Sequence, residues 1–154
     1  MDFYDELVGL TDALGELNID YAVCGGIALA IHGHPRFTQD IDLLVSPRDL
    51  DRILDVARGL GFTVEGGLLT LGPPGPDTAQ LHRVSKVEDE DFLTLDLILL
   101  NPGLQAVWDD RKAFSVQGRD LMVVSRTGLI QMKRLAGRGQ DLVDLDQMGA
   151  NDGN

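Results

Sequence analysis

Aromatic residues are scarce in this chain, at 5 %, so a core has to be assembled from Leu, Val, Ile and Ala. Cysteine occurs once, at Cys24; this excludes an intramolecular disulfide and points to a reducing compartment. Positive charge is short: 13 Lys and Arg stand against 25 Asp and Glu, for a net charge of −12. A general binder of nucleic acid or of anionic lipid carries a basic face instead. Extended DNA or RNA is therefore a disfavoured partner, except where a local basic patch overrides the total. No apolar run approaches the roughly 20 residues of a membrane span. The opening Met1-Asp2-Phe3-Tyr4-Asp5-Glu6 is acidic where a signal peptide is basic. The expectation is a soluble, cytoplasmic protein with no membrane partner.

What is present is ordinary globular material. Of 154 residues, 44 % are hydrophobic and 25 % charged, enough to bury a core without metal or disulfide staples. The length fits a single domain over 1–150, with a core at about 18–124, closing helices at about 125–149 and a frayed tail at 151–154. Phe3, Leu7, Leu10, Leu14 and Leu17 recur at steps of three and four and predict a helix over 2–17. Tyr21 to Cys24 reads as a buried strand ending at Gly25-Gly26, and Ile27 to His32 as a short helix. Thr38 to Val45 reads as a second strand. In Ser46-Pro47-Arg48-Asp49, Ser46 is a candidate N-cap with Asp49 completing a capping box. Leu50, Ile53, Leu54, Ala57 and Leu60 form the apolar face of the helix that follows. Phe62–Glu65, Leu68–Leu71, Ala79–Val87 and Phe92–Leu100 are candidate strands, with a breaker loop at Gly72–Asp77 and a solvated turn at Glu88–Asp91. A short helix near Leu104–Asp109, a hairpin around Gly118 and two helices, from Ser125 to Leu135 and from Gln140 to Met148, complete the chain. The order implies an α+β (mixed α/β) fold, a mixed sheet flanked by helices.

Asp40-Ile41-Asp42 carries the most chemical information. Residues two apart in a strand share a face, so Asp40 and Asp42 project together while Ile41, Leu43 and Val45 face the core. Carboxylates held that close repel and raise one another's pKa; a divalent cation between them relieves the strain, and oxygen donors suit Mg²⁺ or Mn²⁺. Asp96 is a lone acid in an apolar strand, where a charge is expensive without a partner. Were that strand to neighbour Asp40–Asp42, three carboxylates would converge. They could then hold two metal ions and activate a hydroxyl for in-line attack on phosphorus. Gly25-Gly26, between a strand and a helix, allows close approach of backbone N–H groups to a phosphate.

These residues resemble a known family. Val23-Cys24-Gly25-Gly26, followed by Arg36-Phe37-Thr38-Gln39-Asp40-Ile41-Asp42-Leu43-Leu44-Val45, is similar to the signature of the DNA polymerase β-like nucleotidyltransferase superfamily. The wording is nearest to small prokaryotic members, the abortive-infection type toxins and minimal nucleotidyltransferases. Lys133-Arg134-Leu135-Ala136-Gly137-Arg138-Gly139-Gln140-Asp141-Leu142-Val143-Asp144-Leu145 resembles the closing helices of the toxin-like branch. The helical substrate domain that larger members add has no counterpart in the remaining length. The resemblance implies transfer of a nucleoside monophosphate from a metal-bound nucleoside triphosphate. Gly25 and Gly26 would hold the triphosphate. Asp40 and Asp42 would bind both metals, and Asp96 would bind the catalytic metal and deprotonate or orient the acceptor. Arg36, Thr38 and Lys133 are further candidates at the nucleotide. The acceptor would be a small molecule, a protein hydroxyl or a tRNA end reached by a local patch of Lys133, Arg134 and Arg138. A protein partner, an antitoxin or a substrate-binding subunit, is also implied.

Plainer readings stand beside these. Asp96 would alternatively be an exposed strand position or a paired structural acid and Gly25-Gly26 a tight turn, while Lys133, Arg138, Asp141 and Asp144 read first as salt bridges between two helices. Cys24 fits a small buried hydrophobe. His32, His34 and His82 lack metal-ligand spacing. At the level of function, the alternative is a non-catalytic nucleotide- or metal-binding subunit of a two-component system. A haloacid dehalogenase-like phosphatase fits poorly, because its first Asp precedes a loop whereas Asp40 opens a run to Val45 that leads into a helix.

Overall fold

The computed structural model describes residues 1–35, 38–72, 75 and 78–150. Arg36, most of the breaker loop and the tail at 151–154 lie outside the described residues. Helix α1 (Phe3–Glu16) is capped by Asp2, whose carboxylate accepts the Asp5 N–H, and it buries Leu7, Leu10 and Leu14. Leu17 falls past its end and is exposed. Strand β1 (Ala22–Cys24) runs directly into helix α2 (Gly25–Ile31), so both glycines belong to the first helical turn. There follow β2 (Asp40–Val45), α3 (Leu50–Gly59), β3 (Val64–Leu71), β4 (Ala79–Glu88), β5 (Asp91–Leu99) and α4 (Gln105–Asp109). The hairpin β6 (Lys112–Val116) and β7 (Arg119–Val123) precedes helices α5 (Arg126–Ala136) and α6 (Gly139–Gln147).

Two local expectations change. The side-chain cap by Ser46 is not made: Pro47–Asp49 form a 3-10 turn that uses the Ser46 carbonyl, which accepts the Asp49 N–H at 3.0 Å. Helix α3 then starts at Leu50. The two candidate strands around Gly66-Gly67 are one strand, β3, with a bulge between Glu65 and Gly67. Gly67 has φ +76°, a conformation that suits glycine. Phe62 lies before that strand and is fully buried in the core.

Among the described residues the strands form one seven-stranded sheet in the order β3-β4-β5-β2-β1-β7-β6. β2 pairs with β5 in parallel and with β1 antiparallel; β1 and β7 are parallel, and the remaining neighbours are antiparallel hairpin partners. The central strands are buried on both faces except at the Asp40–Asp42 end of β2. Ile41, Leu43, Leu44, Val45, Leu95 and Leu97 are all fully buried, each such side chain contributing roughly 1.5–3 kcal/mol. Helices α1 and α3 pack together on one face, which Lys86 joins by its 2.8 Å ion pair to Glu6 of α1. Helices α2, α4, α5 and α6 form a connected layer, with α5 touching the other three.

Helix α5 is fixed at its start by Ser125. The hydroxyl oxygen accepts the Gly128 N–H at 3.0 Å and the hydroxyl donates to Asp110 at 2.6 Å. A Ser125→Ala variant should lose about 1–2 kcal/mol of stability, read as a lower urea midpoint at unchanged slope. An unaltered midpoint would show that this cap does not anchor the helix.

Candidate active site

Register assembles the site. Cys24 is the partner of Asp42, Asp42 of Asp96, Asp96 of Arg83, and Arg83 of Gly67. Directly opposed residues share a face of the sheet, so one row crosses five strands and carries two carboxylates side by side. The next row along the same face holds Asp40, Thr94 and Ser85, where the Ser85 and Thr94 hydroxyls lie 3.4 Å apart. Asp40 is exposed, Asp42 is partly buried and Asp96 is buried. The polar face expected for Asp40 and Asp42 is therefore present, and β5 brings Asp96 onto it.

The electrostatic cost falls on Asp42. Burial, then the charges of Asp96 and Asp40, raise its carboxyl to about 7. Arg138 and Lys133 oppose the shift, which places two positive charges of α5 and its link to α6 within reach of the acids. Burial, and next the charge of Asp42, also push the Cys24 thiol up, consistent with a small inert hydrophobe.

Gly25 stands against Asp42. Its φ is +64°, and a Cβ built there would fall 2.0 Å from the Asp42 carboxylate oxygen Oδ2. The first glycine of the pair is thus required by the close approach of the acid as well as by its backbone conformation.

Asp96 has a partner that the sequence reading did not name. Arg83 grips it with both arms of a fork, Nε to Oδ1 at 2.8 Å and Nη2 to Oδ2 at 3.0 Å. The signal was in the hairpin turn: Glu88 pairs with Asp91 across two turn residues, and counting five back and five forward gives Arg83 and Asp96. The fork raises the Arg83 guanidinium further, with smaller contributions from Asp40 and Asp42. Among the described residues no group of three His, Cys, Asp or Glu side chains is gathered to hold a metal ion. The oxygen donors themselves suit Mg²⁺ or Mn²⁺, and burial, with the charges of Asp96 and Asp40, disfavours the ionised form of Asp42. The residues fit a divalent cation in donor type, with Asp96 held by Arg83 instead.

The remaining candidates are distributed differently. Lys133, 5 % exposed, donates to Asp144 at 2.8 Å and lies 3.9 Å from Asp141. The second Asp144 oxygen accepts from Gln140 at 2.9 Å. Asp141 in turn accepts from the Arg138 side chain at 2.8 Å and its backbone N–H at 3.1 Å. The five residues form a linked network between α5 and α6. The Thr38 hydroxyl interacts with the backbone of Asp40 at 3.3–3.4 Å and shapes the entry to β2. His32 binds the Val124 carbonyl, and His82 pairs with Glu65.

A nucleotidyltransferase fold is what these features share with known proteins. The model of the nucleotidyl transferase AbiEii toxin family, of type IV toxin–antitoxin systems, matches residues 10–99. The chain belongs to that family and is a nucleotidyltransferase. The matched stretch contains Gly25, Gly26, Asp40, Asp42, Arg83 and Asp96. Similar solved structures include a Thermotoga maritima protein assigned as a nucleotidyltransferase, at 14 % identity and TM-score 0.63, covering 95 % of this chain and 91 % of that one. The lincosamide antibiotic adenylyltransferase LnuA, bound to lincomycin, aligns at 14 % identity and TM-score 0.58 over 96 % of both chains. The antibiotic-resistance factor ANT(2″)-Ia aligns at 14 % identity and TM-score 0.53 over 99 % of this chain and 77 % of that one. These likenesses are of fold. No curated protein matches the chain in sequence.

Two measurements check the electrostatics. A carboxyl at about 7 in the folded state and about 3.9 unfolded stabilises the fold below the unfolded value and loses that contribution as pH rises to the folded one. Thermal stability should fall relative to that of Asp42→Asn between about pH 4 and 7; an identical pH dependence in the two would move the cost elsewhere. Lys133→Ala should destabilise by about 3–5 kcal/mol, because Asp144 is left charged and buried. A loss below about 1 kcal/mol in urea unfolding would mean that water replaces the ammonium.

Proposed function

We propose that the chain transfers a nucleoside monophosphate from a Mg²⁺- or Mn²⁺-bound nucleoside triphosphate to an acceptor hydroxyl and acts as the toxin of a two-component pair. The observation that carries this reading is the in-register opposition of Asp42 and Asp96 beside Gly25, with Asp40 on the same face. Membership of a nucleotidyltransferase toxin family supports it.

Each residue has a task in that reaction. The acceptor oxygen forms a bond to the α-phosphorus, the bond from that phosphorus to the bridging oxygen breaks, and pyrophosphate leaves with the electron pair. Gly25 and Gly26 present backbone N–H groups to the triphosphate. Asp40, Asp42 and Asp96 would hold two divalent ions, whose chemistry is charge neutralisation on the phosphates and activation of the attacking hydroxyl. Asp96 orients the acceptor or takes its proton. The Lys133–Asp144 pair keeps α5 and α6 closed over the acids, and its positive charge favours the ionised form of Asp42. A protein hydroxyl, a small molecule or a tRNA end is the acceptor class, and an antitoxin protein is the expected partner.

The test incubates the purified chain with each α-labelled nucleoside triphosphate, Mg²⁺ or Mn²⁺, and either total tRNA or cell lysate. Label should pass to one acceptor fraction and pyrophosphate should appear. Asp42→Asn and Asp96→Asn should each reduce transfer at least about a hundredfold, since even residues behind a metal ligand are worth 10–100-fold. Full activity in either variant, or no transfer with any triphosphate, metal and acceptor, would sink the reading.

A further inference from the structure

Arg83 occupies both oxygens of Asp96, and the fold makes room for it deliberately. The β3 bulge places Gly66 beside the Arg83 stem, where a Cβ would fall 2.9 Å from Arg83 Cγ and 3.0 Å from its Cβ. The two partners are unequal in exposure: the Arg83 side chain is 42 % exposed and that of Asp96 7 %. Nε and Nη2 are committed to the buried acid, while much of the side chain remains open to solvent. A fork of this shape matches a carboxylate and a phosphate equally well.

We propose that Arg83 is an exchangeable counter-ion that couples metal binding to nucleotide binding. With no substrate bound, Arg83 neutralises Asp96 and competes with a divalent cation for its oxygens. When a metal-bound triphosphate enters, Asp96 passes to the cation and Arg83 passes to a phosphate of the nucleotide. Metal alone then binds weakly, metal and nucleotide bind together, and the acids are not left mutually repelling between turnovers. This rests on the proposed function, because it assumes that Asp96 takes part in holding a divalent ion.

Binding measurements on the full chain test it without reading activity. The probes are Mn²⁺ alone, followed by the free-ion paramagnetic resonance signal, and the α,β-methylene analogues of the four nucleoside triphosphates with Mn²⁺ present. In Arg83→Gln the affinity for Mn²⁺ alone should rise about tenfold or more, since loss of a charge-assisted hydrogen bond is worth at least that factor. Affinity for the preferred analogue with Mn²⁺ present should fall by about the same factor, so that, at unchanged affinity for the metal-free analogue, the coupling between the two ligands weakens about tenfold. Gly66→Ala, which crowds Arg83 without removing its charge, should shift both constants in the same directions and serves if Arg83→Gln does not fold. Arg83→Lys, which keeps the charge and loses the fork, should fall between wild type and Arg83→Gln. Unchanged or weaker Mn²⁺ binding in Arg83→Gln overturns the counter-ion role, and tighter Mn²⁺ with unchanged analogue affinity overturns the exchange. Wild type that binds Mn²⁺ neither alone nor with any analogue overturns the proposed function itself, a result distinct from the other two.

Discussion

Carboxylates on one face of a sheet, two of them directly opposed in a parallel strand pair, repel one another at a distance fixed by the backbone. Strand spacing leaves them little freedom to separate, so the fold must bring positive charge to them. Among the described residues it does so from two directions. Arg83 arrives from the neighbouring strand and binds Asp96 directly. Lys133 and Arg138 arrive from the helices, where Asp144 and Asp141 hold them, and act on Asp42 at longer range. Asp42, with no side-chain fork of its own among the described residues, retains the raised carboxyl, and Gly25 is forced to be small by that carboxylate.

The helices therefore serve electrostatics as well as packing. α5 and α6 bring a network of two cations and two acids to one edge of the acid face, and the network is internally satisfied: both oxygens of Asp144 have partners, and Asp141 takes two donors from Arg138. Buried ion pairs of this kind add little net stability compared with apolar packing. Their worth here lies in the field they set at the acids, which a hydrophobic replacement would abolish.

Much of this was legible from residue order. The Asp40–Asp42 face, the strand bearing Asp96, the glycine pair that opens α2 and the paired closing helices follow from period-two alternation, carboxylates in apolar surroundings and helix punctuation. The family resemblance on residues 22–45 led to the same class as the family match over 10–99. What residue order concealed was sheet neighbourhood. β2 and β5 are separated by two other strands in sequence, and their adjacency, with Asp42 opposite Asp96, depends on tertiary pairing. Gly66-Gly67 reads as a chain break because glycine marks turns and bulges alike; only pairing with β4 distinguishes the two. Ser46 misled for a related reason: its side chain suits a cap, but Pro47 leads into a 3-10 turn that needs only the Ser46 carbonyl.

The β3 bulge has a consequence beyond its local geometry. β3 is an outer strand of the sheet, its ladder interrupted between Glu65 and Gly67. Outer strands with a regular ladder recruit other chains and aggregate; an interrupted one is a poor template. The same irregularity that sets Gly66 against the Arg83 stem thus also breaks the regular ladder of an outer strand. The rim of the sheet is consequently tied to the acid row: Gly66 on β3 lies against the arginine that holds Asp96.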